Sequence, residues 1–261
     1  MLLSVNINFL HHVLALLQDV IRSSFEEVKS QESIKTWMTT ILFIYGKEHP
    51  DLQYRQGMHE LLSCILLLWL EDVSICQKIM HGAAESSTLT LIQALLKPDC
   101  IEHDVYALFE KIMDYMWDWY YTTSASHNGN NDNRDESIKE HRVAPFLDNE
   151  GFECGMLSNA AKRLHNMWVN ILQLHDKELY DHLVSQSILP TTFGVNWTKL
   201  LFTRQFSDYF HLWDAVIVSK FTLVDYIVVA MVSVFKRIAF SHEPQELVHS
   251  ASYFSKIQFF A

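Results

Sequence analysis

The chain has 261 residues, long enough for one large domain or two small ones with a substantial core. Its 7 glycines and 5 prolines sit among abundant Leu, Ile, Met and aromatic residues, which leaves few places where a long helix must break and points to an all-α fold. The formal charge of -11, from 20 basic and 31 acidic residues, excludes a phosphate-neutralising nucleic-acid binder and favours a protein partner with basic surface.

In chain order, Phe9 to Phe25 reads as a first helix. A second follows, with Ser30 as its expected cap, Ile34, Trp37, Met38, Ile41, Leu42 and Tyr45 as its apolar face, and Gly46 and Pro50 ending it. A third, Gly57 to Leu70, is apolar nearly all round and therefore central to the core. Further helices are predicted over 102–120, 156–175, 177–187, 196–203, 208–218, 222–240 and 243–258, and no strand-like alternation competes with them. The polar stretch Thr122 to His141 has nothing to bury and reads as a flexible loop dividing the chain. That organisation gives an N-terminal lobe over 1–121, the loop over 122–141 and a C-terminal helical lobe over 142–261.

The longest uncharged stretches, Leu61 to Leu70 and Tyr226 to Phe235, are about half the ~20 residues needed to cross a bilayer, and the N-terminus lacks a basic leader. A soluble protein without a transmembrane segment is expected. Cys64, Cys76, Cys100 and Cys154 form no C-x-x-C pair and read as reduced, buried thiols of a cytosolic chain. His59-Glu60 begins an H-E-x-x-H pattern, but Ser63 stands where the second ligand must be, so no metal site is expected among the fourteen histidines. Neither G-x-S-x-G nor G-x-x-x-x-G-K-[ST] occurs, which removes a nucleophile elbow and a phosphate loop.

Two polar clusters remain. Asp19 and Arg22, in Leu16-Leu-Gln-Asp-Val-Ile-Arg22, are three apart and can share a helix face, the carboxylate steadying the guanidinium. Tyr54-Arg-Gln-Gly57 stands at the mouth of the apolar helix, and taken alone it reads as a polar helix start with Gly57 permitting a tight entry.

Together, an I-x-x-D-x-x-R pattern with Leu16 at its head, followed by Y-x-Q-G, resembles the paired signature of TBC-domain Rab GTPase-activating proteins. The likeness runs from about residue 14 to 240 and includes "LPTTFGVNWTKLLFTRQF" at 189–206 and "LWDAVIV". "YRQGMHELL" is most similar to family member five, the retromer-associated branch. The resemblance implies an all-α, two-lobed TBC domain in which Arg22 and Gln56 enter a Rab site together as catalytic fingers. It also implies that Asp19 holds Arg22 extended, that Tyr54 supports the Gln56 loop and that Gly57 allows the sharp turn. The activity is then GTPase activation rather than turnover at a substrate site of its own. No cofactor is implied for this chain, because GTP and Mg²⁺ are bound by the Rab partner.

The implied partner is a GTP-bound Rab, of the late-endosomal seven class by the likeness to member five. Retromer is a further partner on the same ground, and the setting is vesicle trafficking, with cytoplasmic protein recruited peripherally to endosomal membranes. Arg55 reads as a solvated or partner-facing charge, Trp197 and Trp213 as core aromatics, and Asp214 as a cap or buried ion pair. Asn196 replaces the family's usual Arg, and the segment from Phe206 to Trp213 is about two residues short. Residues 1 to 12 do not resemble the helices that normally precede the Arg-finger helix, so the domain reads as N-terminally cut. The rival readings are a non-catalytic module that binds a Rab or a trafficking complex, and a helical scaffold unrelated to GTPases.

Overall fold

The computed structural model describes residues 7–82, 91, 92, 94, 96–121 and 158–236. The expected loop 122–141, the helix 243–258 and Cys154 lie outside the described residues. Among those described, every regular element is helical. The chain forms two compact units, one containing the described residues up to Tyr120 with Asn196–Phe221, the other the described residues of Tyr121–Val195 and of Thr222–Tyr253. The units therefore interleave along the chain, instead of following the expected order of 1–121 and then 142–261.

In the first unit, α1 spans Ile7–Ile21, α2 Glu26–Ser30, α3 Glu32–Glu48, α4 Met58–Gly82 and α5 Ile101–Tyr120. The first predicted helix stops at Ile21 and not at Phe25, because the chain turns through 22–25 before α2. Ser30 is the last residue of α2 and not a cap of α3: its hydroxyl donates to the Glu27 carbonyl, and Gln31 precedes α3 without a side-chain cap bond. The periodic face of α3 is buried as read, through Ile34, Met38, Ile41, Leu42 and Tyr45. That helix passes Gly46 and closes with the His49 amide donating to Tyr45. Gly46 is there for close approach, since a Cβ would stand 3.3 Å from the Tyr54 nitrogen of the returning loop.

From Met58 to Leu66 every residue of α4 is buried, consistent with a central helix, and the helix runs twelve residues past the expected Leu70 to Gly82. α5 follows a short 3-10 turn, Pro98–Cys100, and buries Ile101, Val105, Phe109, Met113 and Met116 along one stripe. α3, α4 and α5 pack on one another, with Tyr45 meeting Phe109 edge-on at 5.1 Å between centroids.

In the second unit, α6 (Asn159–Met167) is capped by Ser158, whose hydroxyl oxygen accepts from the Ala161 amide. It continues through a π turn, Trp168–Leu172, to His175, so within the predicted helix 156–175 the described residues from Asn159 form one run with a widened segment. α7 (Lys177–Ser185) is capped by Asp176. α8 (Thr191–Lys199) carries the boundary between the units, α9 (Tyr209–Val218) belongs to the first, and α10 (Leu223–Val234) packs on α6 and the π turn in the second.

The expected helix 196–203 is displaced: it starts after Pro190, a residue suited to the first turn of a helix, and ends at Lys199. Leu201 and Phe202 then take positive φ of 44° and 63°, which the Phe202 amide holds by donating to Trp197. Trp197 and Trp213 are buried as expected, and the Trp213 indole donates to the Leu201 carbonyl at 2.9 Å. Asp214 is exposed inside α9, neither a cap nor part of an ion pair among the described residues.

Candidate functional site

The site is built in the first unit, where the end of α1 meets the entry of α4. α1 buries Leu16 and Val20, one turn apart, and its end is closed by the Arg22 amide donating to Gln18 at 3.0 Å and the Ser23 amide donating to Val20 at 3.3 Å. Arg22 therefore leaves from the C-terminal end of a helix, where the axial dipole favours a cation, and its side chain is exposed. The following residue turns inward: Ser23 is fully buried, with its hydroxyl 3.4 Å from that of Ser63 on α4.

The loop from His49 to Gly57 alternates between anchors and tips. Leu52 and Tyr54 are buried, and Gln53 takes a left-handed φ of 55° while its amide donates to His49. Arg55 to Met58 form a turn closed by the Met58 amide on the Arg55 carbonyl at 3.1 Å, with Gln56 and Gly57 at the two central positions. Gln56 is exposed at this tip. Gly57 has φ of 102°, and a Cβ there would meet the Tyr120 hydroxyl at 3.2 Å and Leu200 at 3.4 Å. Both the dihedral and the space demand glycine. The Tyr120 hydroxyl is itself fixed by donating to the Lys199 carbonyl at 2.7 Å.

A polar network joins the two turns. Tyr54 donates its phenolic proton to Asp19 at 2.6 Å and lies 3.0 Å from His59 Nδ1. Burial, and next to it the Asp19 carboxylate, push the Tyr54 phenol far above its ordinary range, so it stays a donor. His59 Nε2 lies 3.5 Å from Glu60 Oε1. Glu60 is 1 % exposed and accepts from the Ser24 amide at 3.3 Å, from the Ser24 hydroxyl, and from Arg204 at 2.8 Å. Burial alone would raise the Glu60 carboxyl, but the donors His59, Ser24 and Arg204 outweigh it and lower it to about 2.

The structure thus brings four of the five sequence-derived residues, Asp19, Tyr54, Gln56 and Gly57, into one connected region, with Arg22 three residues beyond Asp19. Asp19 is spent on Tyr54 and makes no ion pair with Arg22, whose guanidinium has no hydrogen-bond or ion-pair partner among the described residues. The i, i+3 spacing allowed that pair, but a phenol from the facing loop took the carboxylate. Arg55 folds its guanidinium back, Nε donating to the Leu52 carbonyl at 3.0 Å.

Sequence reasoning assigns no role in this site to Ser24, His59, Glu60 or Arg204. One signal was available: a lone carboxylate in an otherwise apolar run cannot be buried without donors. His59 and Glu60, set aside as a broken zinc motif, are instead members of this network, and no group of three metal-ligating side chains converges among the described residues.

The sequence model of the Rab-GTPase-TBC domain matches residues 10–135 and 146–239. The chain belongs to that family. TBC1 domain family member 5 of Mus musculus is 30% identical over 223 residues, 83% of this chain and 26% of the relative, and the Homo sapiens protein of that name matches equally, over 27% of its length. TBC1 domain family member 5 homolog B of Dictyostelium discoideum is 40% identical over 91 residues, 35% of this chain and 9% of its own. The chain thus spans about a quarter of the length of the two mammalian relatives. The crystal structure of the Ypt/Rab-GAP domain of Gyp1p superposes with a TM-score of 0.62 at 13% identity, covering 96% of this chain and 68% of that one, a likeness of fold. The scaffold reading unrelated to GTPases is thereby set aside for a TBC domain. No described helix of this TBC domain is long and apolar enough to cross a membrane.

Proposed function

We propose that this TBC domain accelerates GTP hydrolysis on a Rab, with Arg22 and Gln56 as the two groups it inserts. The observation that carries the reading is that both side chains are exposed on turns whose neighbours, Ser23, Tyr54 and Gly57, are buried. Exposed tips on anchored turns are what a group supplied to another molecule requires. A Rab hydrolyses GTP slowly because it lacks fixed positive charge against the transferring phosphoryl group and holds its water loosely. The Arg22 fork donates N–H groups to the phosphate oxygens as charge moves toward the β–γ bridge. The Gln56 carboxamide orients the water whose oxygen attacks the γ-phosphorus while the bond to the bridging oxygen breaks. Nucleotide and Mg²⁺ belong to the Rab, and GDP and phosphate leave from it.

Similarity to member five supports a Rab of the late-endosomal seven class as partner, peripheral recruitment to endosomes in the cytoplasm, and retromer as a companion. Tyr54 supports the Gln56 turn from within, and Asp19 acts through Tyr54. Single-turnover hydrolysis across a panel of GTP-loaded Rabs tests the reading. Acceleration with the full chain, reduced at least ~100-fold by Arg22→Ala and by Gln56→Ala, is the expected result. Acceleration unchanged in both variants rejects it, and tight binding without acceleration favours the non-catalytic module.

A further inference from the structure

Arg22 and Gln56 sit on different parts of the chain, and two inserted groups act together only if their turns keep a fixed separation. One buried side chain touches the supports of both. Glu60 lies a single turn inside α4, its amide donating to the Gly57 carbonyl at 3.1 Å, so its backbone moves with the Gln56 tip. Its carboxylate receives the amide and the hydroxyl of Ser24, two residues past Arg22. The third donor, Arg204, is 144 positions away in sequence and half-exposed, so it neutralises the charge from the rim.

A carboxylate held at 1 % exposure is an expensive group to place in a core, and an apolar side chain of similar volume would pack there with no such penalty. What an apolar residue could not do is grip both hydrogen-bond donors of one loop residue. The Ser23 hydroxyl beside Ser63 adds a weaker link between the same two segments, at 3.4 Å.

We infer that Glu60, clamped by Arg204, is a positioning residue that fixes the Arg22 turn against the Gln56 turn. This rests on the proposed two-group mechanism. A charge-assisted grip on a loop sets the placement of the loop's tip, and misplacement by about 1 Å can cost as much as 10²-fold in rate.

The test is single-turnover GTP hydrolysis by the Rab, stimulated by the full chain carrying Glu60→Gln, Ser24→Ala or Arg22→Ala, normalised to folded protein by circular dichroism and thermal melting. Glu60→Gln is expected to lower kcat about tenfold while KM for the GTP-loaded Rab stays within about twofold, the pattern of an interaction realised only in the transition state. Ser24→Ala, which keeps the Glu60–Arg204 pair and the Ser24 amide, is expected to lower kcat about threefold, again with KM held. Ser24→Ala decides alone if Glu60→Gln does not fold. Full kcat per folded molecule in both variants, or a rise in KM with kcat unchanged, overturns the inference. If Arg22→Ala retains full acceleration, the two-group reading itself falls and takes this inference with it; if Arg22→Ala is inactive while the other two are fully active, only this inference falls.

Discussion

Each unit holds a largely buried carboxylate against an arginine at 2.8 Å, yet the two behave in opposite ways. In the first, Glu60 is the more buried, its side chain 1% exposed, and its carboxyl is lowered to about 2. In the second, Asp225 keeps a side-chain exposure of 19% and its carboxyl is raised, because burial outweighs its one partner, Arg163. Depth therefore does not set the sign. Glu60 is met on both oxygens, by the Ser24 amide and hydroxyl and by Arg204, with His59 alongside, whereas Arg163 reaches Asp225 through Nε and an NH₂ group on the one oxygen Oδ1. A carboxylate stays charged in a core when donors from several segments converge on it, and that convergence holds those segments together.

The largest expected contrast is in activity. Arg22→Ala and Gln56→Ala should remove at least ~100-fold of the acceleration in single-turnover hydrolysis, whereas Asp225→Asn should leave kcat per folded molecule within about twofold. An equal loss from Asp225→Asn would show that the finger end has no special standing.

Next comes Gly57→Ala, which forces a side chain into φ of 102° and against Tyr120. A loss of ~2–3 kcal/mol is expected in chemical denaturation.

The pH dependence of stability should then separate the two carboxylates. Glu60 titrates lower in the folded chain than in the unfolded one, so its contribution is present above about 4.5 and is lost as pH falls toward about 2. At neutral pH it is on the order of 3 kcal/mol. Asp225 is raised, so the folded chain holds its proton more tightly, and its contribution, present below about 3.8, falls as pH rises above that value. Denaturation followed from pH 7 downward should show a flatter acid limb for Glu60→Gln and a steeper one for Asp225→Asn. Slopes changing in the same direction would refute the contrast.

The smallest effect is Tyr54→Phe, which removes the 2.6 Å bond to Asp19 and should cost ~1 kcal/mol in thermal or chemical denaturation. Unchanged stability there would mean that the phenol–carboxylate bond adds nothing to the link between α1 and the Gln56 loop.

Much of the fold was legible because helices announce themselves locally. The face Ile34, Met38, Ile41, Leu42 and Tyr45 is buried in α3 because apolar spacing of three and four fixes which side meets the core. Boundaries were less legible where a turn depends on contacts from elsewhere. The end of α8 at Lys199 rests on the left-handed residues Leu201 and Phe202, and on the buried indole of Trp213 reaching the Leu201 carbonyl, none of which has a local signature.

The same division runs through the site. The paired motifs named Arg22, Gln56, Asp19, Tyr54 and Gly57, since residue type and spacing along one segment carry that information. Ser24 belongs to no motif and has no periodic signature, and Asp19 pairs with its helical neighbour when read along the chain because only neighbours are visible there.

Sequence alone determined the helical class, the family and which two polar tips stand out, because periodicity and short motifs depend on residues a few positions apart. Tertiary structure alone decided which carboxylate meets which donor: Asp19 with Tyr54, 35 positions on, and Glu60 with Ser24 and Arg204, 36 and 144 positions away. The physical reason is that a buried charge is stable only where donors from separate segments converge, and convergence exists only once the chain has folded.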